Sequence, residues 1–161
     1  CIAVAPWFIV EKEPETARII ATCRATNDGM PAYVAGRIRE LLAGIPDPKV
    51  AVFGVTYKPD VDDVRESPIL HLLEILDKDG IRTGSCDPHV KGRAGVTADP
   101  MEAVGGADLL VLGVHHAAFR DLNLAELARH MRRPILFDTR NAIDRQAAEA
   151  AGFTYFLLGE K

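Results

Sequence analysis

The sequence is poor in cysteine, in charge of one sign and in long apolar runs. Its three cysteines, Cys1, Cys23 and Cys86, form no CxxC pair in 161 residues, which argues against a disulfide framework or a zinc site and favours a cytoplasmic location. The 19 Lys and Arg residues do not exceed the 23 Asp and Glu residues, so nucleic acid is not an expected partner. Apolar runs such as residues 109–114 fall far short of the ~20 residues that span a bilayer, so no membrane segment is expected.

Hydrophobic residues make up 48% of the chain and charged residues 26%, which is typical of one globular domain or of one domain with an appendage. After residue 48, short β-branched runs alternate with helical patterns. Strands are expected at 50–57, 81–86, 109–114, 135–138 and 153–158, and helices after Ser67, Asp99 and Asn123 and over residues 143–151. Uniformly apolar strands separated by helices predict an α/β, Rossmann-like, mainly parallel sheet with helices on both faces.

A long helix is expected before this sheet, because apolar residues recur at helical spacing over residues 14–43. Pro14 suits a first helical position and Gly44 an exit, while Gly29 and Pro31 favour a kink or break in the middle. The pattern fits one long helix or two joined ones. It leaves open whether the helix packs on its own domain or forms a dimer or interdomain strut.

Polar residues follow the predicted strands, at the edge where ligands bind in such sheets. They are Lys58, Asp87, His89, His115, His116, Asp138 and Arg140. The first strand is followed by GVTYKP (54–59) and not by a glycine-rich dinucleotide fingerprint, so NAD is not expected to bind here in the usual Rossmann manner. Anions would instead be bound by the side chains of Lys58, Arg65 and Arg140, although each could equally be a solvated charge.

No metal site is expected. The acidic loop with Asp60, Asp62, Asp63 and Glu66 lacks the glycine and terminal glutamate of a calcium loop, and such acids commonly cap helices or pair with a neighbour such as Arg65. The adjacent His115 and His116 should point apart and line a turn or pocket.

Cys1 is compatible with three interpretations. It could be a catalytic thiol, an N-terminal nucleophile that uses its own amino group as base, or a buried structural thiol near a fragment end. An alternating α/β pattern does not favour the second, and sequence chemistry alone favours the third.

Five segments, taken in order, resemble the UDP-glucose/GDP-mannose dehydrogenase family, most nearly its bacterial UDP-N-acetylmannosamine dehydrogenases. They are CIAVAPWF (1–8), ATNDGMP (25–31), GVTYKPDVDDVRESP (54–68), CDPHV (86–90) and FDTRN (137–141). The resemblance implies that residues 1–46 are the C-terminal part of a central helical dimerisation region and that residues 47–161 are a UDP-binding C-terminal domain. An NAD-binding Rossmann domain would then lie upstream, outside this chain.

The resemblance also implies chemistry and site residues. Family members oxidise a sugar C6 alcohol to the carboxylate with two NAD, through a thiohemiacetal and a thioester on the cysteine that Cys1 matches. Lys58 and Arg140 match substrate-contacting residues, and Arg65 matches an arginine that reaches NAD. Ala5 stands where the family normally has an aspartate linked to water activation, which puts thioester hydrolysis in doubt.

Three functions therefore remain open. The first is a UDP-sugar-binding part of an NAD-dependent nucleotide-sugar 6-dehydrogenase that is silent alone and forms a homodimer through the long helix. The second is a dimerisation module with no ligand site of its own. The third is a cysteine hydrolase that uses Cys1.

Overall fold

The computed structural model describes residues 4–160. Three helices come first: α1 (Ala5–Lys12), α2 (Arg18–Asp28) and α3 (Met30–Leu41). The predicted long helix is broken at Gly29, because Pro31 has no N–H to continue the helical ladder and is tolerated only in a first turn. The predicted start at Pro14 is wrong: a turn comes first, with Ala17 N–H donating to Glu13 O at 2.8 Å, and α1 was not expected.

Six parallel strands form one sheet, so the predicted fold class is confirmed. The strands are β1 (Lys49–Phe53), β2 (Arg82–Cys86), β3 (Val96–Thr97), β4 (Leu109–Leu112), β5 (Ile135–Asp138) and β6 (Thr154–Leu157). Their order in the sheet is β3-β2-β1-β4-β5-β6. The short β3 was not predicted, since two residues carry no periodic signal.

Four further helices connect the strands: α4 (Pro68–Lys78), α5 (Pro100–Val104), α6 (Leu124–His130) and α7 (Arg145–Ala150). Each begins at a polar cap residue whose side chain accepts a hydrogen bond from a backbone N–H group. The caps of α4, α5 and α6 are the predicted Ser67, Asp99 and Asn123, and the cap of α7 is Asp144. Among the helices within residues 4–160, none combines the length and the apolarity needed to cross a bilayer.

The sheet is covered on both faces. On one face, Val34 and Ile38 of α3 and Leu72 of α4 pack against Val50 and its neighbours. On the other face, residues of α5, α6 and α7 pack against the alternate residues of the same strands. Helix α3 thus belongs to the same hydrophobic core as the sheet.

The first strand ends at Phe53, earlier than the predicted residue 57, because Gly54 turns the chain at a φ of +82°. Here β1 and β4 come unusually close: Phe53 O accepts the N–H groups of both Gly113 and Val114, at 2.8 and 3.1 Å. A Cβ on Gly54 would lie 2.5 Å from Val114 Cβ, and one on Gly113 would lie 2.8 Å from Gly54 O. Glycine at both positions permits this approach.

Candidate functional site

The candidate site lies where β1 and β4 end side by side. From β1 the chain builds β2 and β3 to one side and later β4, β5 and β6 to the other, so the topology switches between β1 and β4. Ligands of parallel α/β sheets bind at the carboxyl ends of the strands, in the crevice at such a switch point. The polar residues that follow the strands lie at this edge.

Lys58 is carried by the loop that leaves β1. The backbone of this loop is tied down by Thr56 Oγ1–H, which donates to Lys58 O at 2.8 Å, and by Tyr57 N–H, which donates to Asp63 O at 2.8 Å. The side chain is exposed, and its Nζ lies 5.9 Å from the centre of the Tyr57 ring. Within residues 4–160 no carboxylate pairs with this ammonium group, so its charge is available to an anion.

Lys58 and Arg65 line one open depression of about 530 Å³, together with Val4, Tyr57 and Glu66 among others. The structure therefore brings two of the predicted site residues together. Val4 is the first described residue of the chain, and the predicted nucleophile Cys1 lies outside the described residues.

Arg65 is paired within the loop. Its Nε and Nη2 donate to the two carboxylate oxygens of Asp63, at 2.9 and 2.7 Å. This guanidinium holds the pKa of Asp63 at about 2, well below its ordinary 3.8. The predicted pairing of the acidic loop with Arg65 is thus present, and an incoming anion would have to compete with Asp63 for this side chain.

Arg140, which follows β5, is not part of the lining of the Lys58 depression. Its Nε donates to Gly113 O at 2.6 Å, so its head group lies beside the close approach of β1 and β4. Burial lowers the pKa of this guanidinium, and the charge of Asp138 partly offsets the effect.

Asp138 holds the Arg140 loop in shape. Its buried carboxylate accepts the backbone N–H groups of Arg140, Ala142 and Ile143 at 2.7, 2.8 and 2.9 Å, and the Tyr155 hydroxyl at 3.1 Å. Burial, with the Asp138 charge, raises the pKa of Tyr155 to about 12. Asp138 does lie at the ligand edge, as expected, and its role there is to stabilise the loop.

Two further strand-end residues form a buried pair. His116 Nε2 lies 3.0 Å from Asp87 Oδ2, and both side chains are fully buried. Sequence reasoning located both at the ligand edge and expected His116 to line a turn or pocket, but it gave Asp87 no role and missed the pair. The available signal was a polar residue that follows a predicted strand. The neighbouring His115 is exposed, and both histidines line a cavity of about 240 Å³ on the α6 side of the sheet, so the predicted pocket lining is present.

One group of side chains has ligating atoms within 4.8 Å of one another: Asp60, His89 and His116. Both ring nitrogens of His116 already take part in hydrogen bonds, with Asp87 and with Asp60 N–H. Asp60 Oδ1 also accepts Ala117 N–H at 2.7 Å, which is the main reason that the pKa of Asp60 is lowered. A divalent ion would have to break these bonds, so the group does not fit a metal.

The two described cysteines offer no nucleophile at the depression. Cys23 is exposed on α2, and Cys86 is buried at the end of β2. Burial raises the pKa of the Cys86 thiol to about 12, so it stays protonated and unreactive at neutral pH.

Comparison with known proteins identifies this architecture. Residues 51–145 match the model of the UDP-glucose/GDP-mannose dehydrogenase family, UDP binding domain. The chain belongs to this dehydrogenase family. The matched residues include the end of β1, the Lys58 loop, β4, β5 and Arg140.

Relatives of this dehydrogenase-family chain match it over nearly its whole length. The UDP-N-acetyl-D-mannosamine dehydrogenase of Methanococcus maripaludis is 36% identical over 99% of the chain and 38% of that protein. The NDP-N-acetyl-D-galactosaminuronic acid dehydrogenase of Ralstonia solanacearum is 36% identical over 87% of the chain and 34% of that protein. The chain thus spans just over a third of the length of the curated relatives it matches.

Solved structures of the dehydrogenase family have the same fold. A UDP-D-ManNAc dehydrogenase from Pyrococcus horikoshii superposes with a TM-score of 0.87 at 31% identity, over 99% of this chain and 38% of that one. The UDP-N-acetyl-mannosamine dehydrogenase from S. aureus gives 0.81 at 35% identity, over 94% of this chain and 35% of that one.

Proposed function

We propose that this chain is the UDP-sugar-binding part of an NAD-dependent nucleotide-sugar 6-dehydrogenase, with Lys58 and Arg140 contacting the substrate. The observation that carries the proposal is Lys58, an exposed cation without an acidic partner among the described residues, in a depression at the ligand edge of a family UDP binding domain. The diphosphate of a UDP-sugar is the anion that such a cation would bind. UDP-N-acetylmannosamine is the proposed sugar nucleotide, because relatives that match nearly the whole chain are named for it.

In the proposed reaction the sugar C6 alcohol is oxidised to the carboxylate, with two NAD accepting the hydrides and water releasing the thioester. Cys1 is the proposed nucleophile, because an aldehyde held as its thiohemiacetal cannot escape before the second oxidation. The cysteine usage of the chain supports a cytoplasmic site for this reaction.

The described residues do not fit a complete NAD site. β1 leads into the loop 54–67 and not into a glycine-rich turn that opens directly onto a helix, so no pyrophosphate cradle is formed there. We therefore propose that NAD is bound mainly by a part of the protein outside this chain, with Arg65 as a contact. The chain alone should turn over no NAD.

Lys58→Ala and Arg140→Ala should each weaken the binding of UDP and UDP-N-acetylmannosamine, measured by calorimetric titration. Loss of a charge-assisted hydrogen bond costs about 1.5 to 3 kcal/mol, which raises Kd roughly 10- to 150-fold. Lys78→Ala is the matched control, because Lys78 ends α4 at the opposite edge of the sheet. Unchanged affinity in both site variants would contradict the proposal.

A homodimer is the second part of the proposal, with residues 1–46 as the dimerisation region and residues 47–161 as the UDP-binding domain. Large apolar side chains are exposed on all three N-terminal helices. They include Phe8 and Ile9 of α1, Ile19 of α2 and Tyr33 of α3, which are 63%, 52%, 79% and 54% exposed. Such a concentration of exposed apolar surface is typical of a protein interface.

Light scattering should therefore give twice the mass of the 161-residue chain. Phe8→Asp together with Ile19→Asp should shift the mass to that of one chain, because a charge would be buried in the interface. Val61→Asp is the control, since Val61 is also exposed but lies on the loop after β1. A monomeric mass for the unaltered chain would rule out the homodimer.

A further inference from the structure

We propose that His116 is a positioning residue that holds the Lys58 loop in its ligand-binding conformation. The inference rests on the proposed function, in which Lys58 contacts the UDP-sugar. Lys58 is exposed and lies outside the strands, so its position depends on what fixes the loop. Residues 56 and 60, on either side of Lys58, each have a hydrogen-bond contact with this one buried imidazole.

Asp87 fixes one side of the imidazole. Its Oδ2 lies 3.0 Å from His116 Nε2 and accepts Val55 N–H at 2.7 Å, while Oδ1 accepts His89 N–H at 2.9 Å. An ionised carboxylate can only accept hydrogen bonds, so Nε2 of His116 must carry the hydrogen. The Asp87 backbone continues from β2, which makes the carboxylate a rigid anchor.

The other ring nitrogen acts on the loop itself. Asp60 N–H donates to His116 Nδ1 at 2.9 Å, so Nδ1 must offer a lone pair. The neutral Nε2–H tautomer satisfies both neighbours at once, and no other form does. Asp60 adopts a φ of +59°, an uncommon conformation for a residue with a side chain, and this bond helps to hold it there.

Thr56 connects the imidazole to Lys58 from the other direction. Its buried Oγ1 lies 3.3 Å from His116 Nε2 and donates to Lys58 O at 2.8 Å. His116 therefore contacts the Thr56 side chain and the Asp60 backbone, two positions before and after Lys58. A change in the imidazole should reach Lys58 without any contact between His116 and the ligand.

Two substitutions separate this role from simple core packing. In His116→Asn the amide oxygen takes the place of Nδ1 and still accepts Asp60 N–H, but nothing reaches Asp87. In His116→Gln the amide nitrogen takes the place of Nε2 and still donates to Asp87, but the acceptor for Asp60 N–H is lost. His130→Gln is the control, since His130 is exposed at the end of α6.

The experiment measures UDP affinity by calorimetry and hydrogen exchange of the Asp60 amide by NMR. We expect His116→Gln to accelerate Asp60 exchange and to raise Kd about tenfold or more. His116→Asn keeps the Asp60 bond but loses the contacts with Asp87 and Thr56, so Asp60 exchange should stay slow and Kd should rise less. Equal UDP affinity and equal Asp60 exchange in the two variants would overturn the inference. Losses of affinity that merely scale with the loss of stability in urea would also overturn it.

If the unaltered chain does not bind UDP, the proposed function fails, and Asp60 exchange in the two variants still decides the inference. If His116→Gln does not fold, Thr56→Val and Thr56→Ser replace the pair. Thr56→Val removes the hydroxyl that links His116 to Lys58 O, and Thr56→Ser keeps it. Affinity lost in the valine variant supports the inference if the loss is smaller when His116 is also changed to Asn, which already lacks the contact with Thr56. An equal loss with and without His116→Asn overturns it.

Discussion

Gly54→Ala is expected to lower the free energy of unfolding by about 3 kcal/mol or more, from the left-handed backbone and the steric overlap together. The added Cβ would overlap Val114 Cβ at 2.5 Å and Val114 O at 2.6 Å, and Gly54 has a φ of +82°. Because part of the overlap is with backbone, no rotamer change can relieve it, and β1 and β4 would have to separate. Urea unfolding followed by circular dichroism measures the loss.

Gly36→Ala is the matched control. Gly36 lies inside α3, and a Cβ there would meet nothing within 4 Å. Alanine in a helix interior is favoured over glycine by about 0.5 to 1 kcal/mol, so this variant should be slightly more stable than the unaltered chain. Equal stability of the two alanine variants would mean that the glycine contact between β1 and β4 is not required.

Asp138→Ala is expected to destabilise the chain by about 3 kcal/mol or more. Several donors share this one buried carboxylate, and each donor left without an acceptor costs about 1 to 3 kcal/mol. Three backbone N–H groups lose their partner, and the Tyr155 hydroxyl keeps only a long bond of 3.4 Å to Ile143 O. The loop that carries Arg140 should loosen as a result, so UDP affinity should fall together with stability. Urea unfolding and calorimetry on one preparation test both effects.

Asp144→Ala gives the comparison for Asp138. Asp144 caps α7 through one bond to Ala147 N–H at 2.7 Å and is exposed, so its loss should cost only about 1 kcal/mol. The pKa of Tyr155 is a second measurement, and it is about 12 in the unaltered chain. It should be lower in Asp138→Ala, where the neighbouring charge is gone, and unchanged in Asp144→Ala. Similar losses of stability in the two variants would contradict the role assigned to Asp138.

The sheet was predictable because its local signals are strong. Apolar β-branched runs marked β1, β4 and β5, and caps such as Ser67 and Asn123 marked helix starts within one residue. The end of β1 was misjudged because residues 55–57 remain apolar or β-branched, whereas the backbone of Gly54 ends the strand. Helix α1 was missed because its exposed, nearly uniform apolar surface has no helical period.

The candidate site was predictable in residue type more than in arrangement. Lys58 and Arg65 share a depression, and their closeness in sequence made this foreseeable. Arg140 comes from a distant loop, and its bond to Gly113 O depends on how β4 and β5 end, which no local pattern encodes. The same holds for His116, whose role follows from the convergence of β2, β4 and the Lys58 loop.

The central position of β1 has a consequence for biosynthesis. Both of its neighbours in the sheet, β2 and β4, lie later in the chain, so a growing polypeptide leaves the ribosome with an apolar strand that has no partner. Its second edge stays unpaired until residues 109–112 emerge, and pairings between such distant segments form slowly. During translation, β1 thus waits longer for its second partner than any other inner strand of this sheet, and residues 50–53 are open to chaperones and to aggregation in that interval.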